Sequence, residues 1–114
     1  MINYHKEIVA ALNKILPTYY EMVLHSGLTT PCISYMELSN IDVNTGNTLG
    51  YSRIQYQVKV WGNNISILQE YAKEIDKSLR ALGFKRVGGG ELCDNQSAMI
   101  QKILTYEAIA LEDF

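Results

Sequence analysis

Polar and apolar positions alternate most regularly in residues 51–64, "YSRIQYQVKVWGNN". Apolar side chains occupy every second position from Ile54 to Val60, and polar side chains stand between them. Successive side chains of a strand point to opposite faces, so this alternation predicts a long strand with one face in the core. Trp61 falls on the polar face by the same parity. That face is either ordinary solvated surface or the working surface of the protein.

Two other segments repeat their apolar residues at spacings of three and four, which is typical of amphipathic helices. The first covers residues 3–16 and should end before Pro17, which cannot donate the next helical hydrogen bond. The second covers residues 65–82 and should end at Gly83. Its start has three candidate caps. Ser66 can form a capping box with Gln69, and Asn63 and Asn64 are the other two candidates.

The remaining apolar runs predict the other strands. We expect a strand at residues 18–25, followed by a turn at Ser26-Gly27, and a second strand at residues 31–41, followed by a turn cluster at 44–50. After the second helix, a short strand should begin at residues 84–87 and be interrupted by "GGGE". Residues 98–110 should form the last strand. Strands joined by short turns pair antiparallel, and strands separated by a helix can pair parallel. We therefore predict a single α+β domain over residues 1–114. Its element order is α-β-β-β-α-β-β, with a mixed, mainly antiparallel sheet and two helices packed on one face.

Composition limits the function. A chain of 114 residues with 47% hydrophobic content can bury one compact core. The 10 basic and 12 acidic residues leave a net charge of −2, which gives no general attraction for nucleic acid or for an anionic membrane. The polar N-terminal sequence "MINYHKEIVAALNKIL" is unlike a signal peptide or a membrane span, so we expect synthesis inside the cell.

Catalytic chemistry has no recognisable pattern in this sequence. The potential zinc ligands are too dispersed to form the closely spaced pairs of a metal site, and they are His5, His25, Cys32 and Cys93. The two cysteines are expected to be reduced thiols. The glycines at 88–90 precede Glu-Leu-Cys rather than the Lys-Ser/Thr of a phosphate loop, so a hairpin or bulge is the better interpretation. We expect no catalytic residues, no metal and no cofactor.

Two surfaces are candidates for a partner. The polar face of the long strand presents Arg53, Gln55, Gln57, Lys59 and Trp61. A tryptophan there is covered either by a loop of its own chain or by another subunit. A small basic cluster after the second helix presents Arg80, Lys85 and Arg86. It lacks interleaved aromatic residues and is therefore a weak indication of nucleic-acid binding, with ordinary charged surface as the other interpretation.

Tyrosine is frequent, with eight residues in the chain. Its large apolar area and wet hydroxyl suit the edge of a core or an interface, and we expect most tyrosines in the core or at its edge. Tyr19 and Tyr20 are adjacent on a predicted strand, so at least one of them should leave the helix-covered side.

Several stretches, in this order and spacing, match a known pattern over nearly the whole chain. They are the N-terminal amphipathic helix, Pro31-Cys32-Ile33-Ser34-Tyr35, Tyr56-Gln57-Val58-Lys59-Val60-Trp61, Leu82-Gly83-Phe84-Lys85-Arg86, and a closing strand with Lys102 and Tyr106 after Asp94. The chain thereby resembles the small tail-completion proteins of siphophages and prophages of Gram-positive bacteria, the group of tail terminators and head-tail joining proteins. It departs from them at Lys59, where many members have an acidic residue, and in its triple glycine.

The resemblance implies a structural protein without enzymatic activity that assembles as a homo-oligomeric ring, commonly a hexamer, at the head-proximal end of the tail. Such a ring stops tube growth and offers the head connector a docking surface. The implied partners are further copies of the chain, the tail tube protein and the head connector proteins. The implied location is the virion tail, after assembly in the cytoplasm of the bacterial host, with no membrane contact and no specific nucleic-acid binding. A small nucleic-acid-binding module is the alternative.

Overall fold

The chain folds as two helices against one five-stranded sheet. The structure is a computed structural model, and it describes residues 4–20, 31–44, 49–94 and 99–113. The elements are α1 (His5–Asn13), β1 (Thr18–Tyr20), β2 (Cys32–Asn44), β3 (Leu49–Gly62), α2 (Ile65–Ala81), β4 (Lys85–Asp94) and β5 (Met99–Asp113). The strands lie in the order β1-β2-β3-β5-β4. The predicted α+β class and the predicted element order are confirmed.

Strand pairing is mainly antiparallel, as predicted, with one exception. The pairs β2–β3, β3–β5 and β4–β5 are antiparallel, whereas β1 and β2 are parallel, with Tyr19 beside Ser34. The expectation that chain neighbours pair antiparallel is therefore wrong for β1 and β2. Residues 21–31 connect these two strands, and about a dozen residues suffice for a parallel crossover. Most of the predicted strand at 18–25, the turn at Ser26-Gly27 and the centre of the turn cluster at 44–50 lie outside the described residues.

The core lies between the helices and one face of the sheet. From β3 it takes the alternating residues Ile54, Tyr56, Val58 and Val60, all with no exposed surface. The helices contribute the apolar stripes that the periodicity predicts, and these are Ile8 and Leu12 from α1 and Leu68, Ala72, Ile75 and Leu79 from α2. Strand β3 is 14 residues long, which corresponds to about 46 Å at the usual rise per residue. The molecule is accordingly elongated, measuring 53 × 25 × 23 Å.

Local chemistry explains where the helices begin and end. Among the three candidate caps, Asn64 is the one used, since its side-chain oxygen accepts from the backbone N–H groups of Ser66 and Ile67. Gly83 follows α2 with a φ of 97°, a left-handed conformation that glycine adopts without strain. The first helix ends at Asn13, a little before the predicted end, because the Asn13 side chain accepts from the backbone N–H of Thr18 and helps to turn the chain into β1.

The glycine segment is part of a strand, so the prediction that "GGGE" interrupts it is wrong. Strand β4 pairs with β5 from Lys85 to Asp94, and the only irregularity in that register is a shift between Arg86 and Gly88. A bulge was one of the two interpretations given to the glycines, and this shift lies beside them. At Gly89 a Cβ atom would lie 2.9 Å from the carbonyl oxygen of Ile103, so this close approach requires glycine.

Candidate functional site

The sheet face opposite the helices carries all five residues predicted for partner contact, and it is called the open face below. The core residues of β3 occupy its even positions and turn towards the helices, so the odd positions turn away from them. These odd positions hold Arg53, Gln55, Gln57, Lys59 and Trp61. Arg53 is exposed and the other four are half-buried.

Trp61 lies along the open face and packs towards β2. Its indole N–H donates a 2.8 Å hydrogen bond to the hydroxyl oxygen of Ser34. Ser34 and Cys32 have almost no exposed surface although their register places them on this face. Strand β2 thus satisfies the polar atom of Trp61. Trp61 itself is only half-buried, so part of its ring remains accessible. Trp61 was predicted to be covered either by a loop of its own chain or by another subunit. Its own chain covers part of it, but with strand β2 and not with a loop.

Lys59 and Tyr19 share this end of the open face with Trp61. The ammonium of Lys59 lies 6.0 Å from the centre of the indole ring, at the outer limit of a cation–π contact. Tyr19 lies beside Ser34 in the β1–β2 register, on the open face, whereas Tyr20 packs against the rings of His5 and Tyr35 on the helix side. The prediction that one of the paired tyrosines leaves the helix-covered side is confirmed. Tyr19, Lys59 and Trp61 form one end of the open face, called the tryptophan end below.

In the middle of the open face one carboxylate binds two polar side chains of β3. Glu107 of β5 accepts from Arg53, at a distance of 3.0 Å, and from the amide of Gln55, at 3.2 Å. Lys85 pairs with Glu107 in the β4–β5 register and so shares this face. The cations Arg53 and Lys85 outweigh the carboxylate of Glu107 in this part of the face. This part of the open face therefore suits a partner with an acidic surface.

Exposed isoleucines flank Arg53 at the far end of the face. Ile41 of β2 and Ile109 of β5 pair with Arg53 from either side, and they are 54% and 62% exposed. This isoleucine end is about 26 Å from Trp61, since eight residues separate Arg53 from Trp61 along β3. Neither isoleucine is among the residues predicted for partner contact. Parity could have found Ile109, because it falls in the polar series with Thr105 and Glu107 just as Trp61 does on β3.

The basic cluster predicted as a nucleic-acid site is partly neutralised by one carboxylate. Asp76 lies 2.7 Å from Arg80 and 3.9 Å from Arg86, and it accepts a 3.0 Å hydrogen bond from the hydroxyl of Tyr106. Burial raises the pKa of Asp76, but the hydrogen bonds from Arg80 and Tyr106 outweigh it and bring the pKa below the ordinary value. Asp76 is therefore ionised at neutral pH and offsets part of the positive charge, which disfavours nucleic-acid binding here.

The tyrosines follow the expected distribution between core and core edge. Three are buried, namely Tyr35, Tyr56 and Tyr106, and the other five are half-buried. Burial raises the pKa of Tyr56, and burial together with the bond to Asp76 raises that of Tyr106, so both phenols stay neutral. Neither phenol is poised for acid–base chemistry near neutral pH.

Other candidate chemistry is not assembled in the described part of the chain. Those residues contain no group of three His, Cys, Asp or Glu side chains that could hold a metal ion. Cys32 is buried on β2 and Cys93 is exposed on β4, and both are free thiols. Two strands lie between β2 and β4, a separation of about 14 Å, which is too far for a disulfide. No helix within the described ranges is long and apolar enough to cross a membrane.

Comparison of the chain with protein-family models gave no match, and comparison with curated proteins gave none either.

Proposed function

We propose that this protein is a structural protein of phage tail assembly, a tail terminator or head-tail joining protein. In this proposal identical subunits form a ring, commonly of six, at the head-proximal end of the tail. The ring stops growth of the tail tube on one side and receives the head connector on the other. The subunits are made and assembled in the cytoplasm of the bacterial host and remain in the virion tail.

One observation carries the proposal: the open face presents accessible apolar surface where a solvated sheet would present polar groups. Trp61 lies at one end, and Ile41 and Ile109 lie at the other, more than half exposed. Partner-free sheet faces are usually polar throughout, and tryptophan is enriched among the residues that dominate interfaces. The resemblance of the chain to tail-completion proteins then suggests what the partner is, namely other copies and the neighbouring tail proteins.

The arrangement of the face supports a ring rather than a closed pair. The tryptophan end and the isoleucine end are two different patches, about 26 Å apart along β3. A contact that joins unlike patches of successive subunits is heterologous, and such contacts close into rings when the rotation between subunits permits. Because cations are in excess around Glu107, we expect the surface that docks on the middle of the open face to be acidic. Assembly should therefore weaken as the salt concentration rises.

The experiment that tests the proposal is assembly of the purified protein with the tail tube protein of the same phage. We expect the wild-type chain to form rings and to limit tube length, as seen by electron microscopy. Trp61→Ala should impair both properties, and Ile67→Ala, which truncates an exposed residue of α2 on the other side of the molecule, should impair neither. A protein that stays monomeric at high concentration, and that leaves tube length unchanged, would contradict the proposal.

A further inference from the structure

We propose that the outer edge of β4 binds the same edge of a second copy of this chain, in antiparallel orientation, so that two sheets join side by side. Strand β4 is the last strand of the sheet, and it pairs with β5 along its inner edge. Among the described residues no strand pairs with its outer edge. Residues 85–93 are all exposed.

The centre of the edge, residues 88–90, lacks the devices that usually prevent such pairing. Proteins protect long edge strands with proline, with charged side chains along the edge or with bulges that twist it away. Strand β4 contains no proline, and residues 87–90 are valine followed by three glycines, without a charge. Its register shift lies near one end, beside Arg86, so the segment after it keeps a regular register with β5. The backbone groups of this segment are therefore accessible to another strand.

Glycine at position 90 has no explanation within a single chain. A Cβ atom at Gly89 would meet the backbone of β5, whereas a Cβ atom at Gly90 would meet nothing within 4 Å. Glycine weakens the interior of a strand. Without side chains, residues 88–90 leave the backbone N–H and C=O groups of β4 open to a second strand.

Charge complementarity favours another copy in antiparallel orientation as the second strand. Arg86, 3.9 Å from Asp76, stands near the start of β4, and Glu91, 3.1 Å from Lys102, stands near its end. They lie on the same face of the sheet, because their partners Tyr106 and Lys102 are four residues apart on β5. Two β4 strands in antiparallel orientation bring the Arg86 end of each to the Glu91 end of the other. A parallel copy would instead bring like charges together.

The exposed apolar residues of β4 obey the same symmetry. Val87 is 47% exposed and Leu92 is 57% exposed, and they lie towards opposite ends of the strand. A two-fold axis near the glycines brings Val87 of one copy towards Leu92 of the other. In the register that pairs Arg86 with Glu91, Val87 lies opposite Gly90 and diagonal to Leu92 of the other copy, so the exposed apolar side chains are neighbours across the axis.

The contact is small and separate from the open face. One strand edge buries less area than a standard interface, so we expect a dissociation constant weaker than about 1 μM. Edge pairing extends the sheet sideways and leaves the open face uncovered. The contact therefore does not depend on the proposed ring, and either can exist without the other.

Sedimentation velocity and amide hydrogen exchange, measured as a function of protein concentration, test the pairing. We expect dimers at high concentration, together with slower exchange of backbone amides in residues 87–92. Gly90→Lys places a long charged side chain at the edge, and it should raise the dissociation constant by about tenfold or more. Ile67→Lys is the matched control, since it puts the same side chain on the exposed surface of α2, and it should leave the dimer unchanged.

Charge exchange gives a second, independent test. Arg86→Glu and Glu91→Arg should each weaken the dimer, because each brings two like-charged pairs together across the two-fold axis, and the double variant should recover most of the association. Circular dichroism establishes that each variant is folded. A monomer at all concentrations, or a dimer whose β4 amides exchange as fast as those of the monomer, would overturn the proposal. Ring formation without β4 protection would overturn it too and leave the proposed function standing.

Discussion

Replacing Trp61 by alanine separates the two roles that this residue can have. The side chain is half-buried, and its indole N–H donates to the buried hydroxyl of Ser34. If Trp61 acts in assembly, the substitution should weaken the subunit contact more than it weakens the fold. If Trp61 only supports its own chain, the loss of stability should be the larger effect.

The expected loss of stability follows from the contacts of Trp61. Truncating a fully buried tryptophan costs about 3–5 kcal/mol, and a half-buried ring should cost about half as much. Loss of the hydrogen bond to Ser34 is included in Trp61→Ala and can be isolated in Ser34→Ala, which should lose about 1 kcal/mol. We therefore expect Trp61→Ala to lower the free energy of unfolding by roughly 2–3 kcal/mol. An interface tryptophan contributes at least about 2 kcal/mol per contact, so the association constant should fall about 30-fold or more.

Urea denaturation of the monomer and light scattering over a concentration series give the two quantities. Val58→Ala is the control, because Val58 lies on the same strand, is fully buried on the helix side and should lose a similar stability of about 2 kcal/mol. It should assemble normally where it is folded. The reasoning is refuted if Trp61→Ala loses about 3–5 kcal/mol and still assembles as the wild type does, since that is the behaviour of a core aromatic.

Four further substitutions test the account of the fold. Tyr106→Phe removes a donor to the ionised Asp76 and should cost about 1–2 kcal/mol near neutral pH. The lowered pKa of Asp76 gives stability that is lost as the pH falls through its folded-state pKa. The difference in unfolding free energy between the wild type and Tyr106→Phe, measured by urea denaturation, should therefore shrink in acid. A difference that does not change with pH would contradict this account. Asn64→Ala removes the cap of α2 and should cost about 1 kcal/mol in thermal unfolding; an unchanged melting temperature would argue against the cap. Gly89→Ala should destabilise the protein by about 1 kcal/mol or more, whereas Gly90→Ala should not. Equal effects would show that the carbonyl of Ile103 on β5 can shift to make room for the added Cβ atom.

Periodicity was sufficient to predict the elements that have one clear apolar face. Strand β3 and helix α2 contribute unbroken sets of core residues at the spacing of their own structure, and both were predicted within two residues of their bounds. Such patterns are informative because one register alone buries the whole apolar set. Parity on β3 likewise placed its five outward residues on one face.

Features that depend on a distant partner were not predictable in the same way. Glycines in a row are typical of turns, and only the pairing of β4 with β5 makes residues 88–90 part of a strand. The parallel pairing of β1 with β2 is a relation between two strands, which the periodicity of either strand does not report. Glu107 joins Arg53 and Gln55 across two strands that are far apart in sequence, so its role followed only once the register was known.

Sedimentation equilibrium of the wild-type protein, alone and with its tail tube protein, tests the central claim most directly. We predict a closed assembly of several identical subunits, which Trp61→Ala disrupts and Ile67→Ala does not. A single species with the mass of one chain at high concentration, unchanged when tail tube protein is added, would contradict the claim that the open face is an assembly surface.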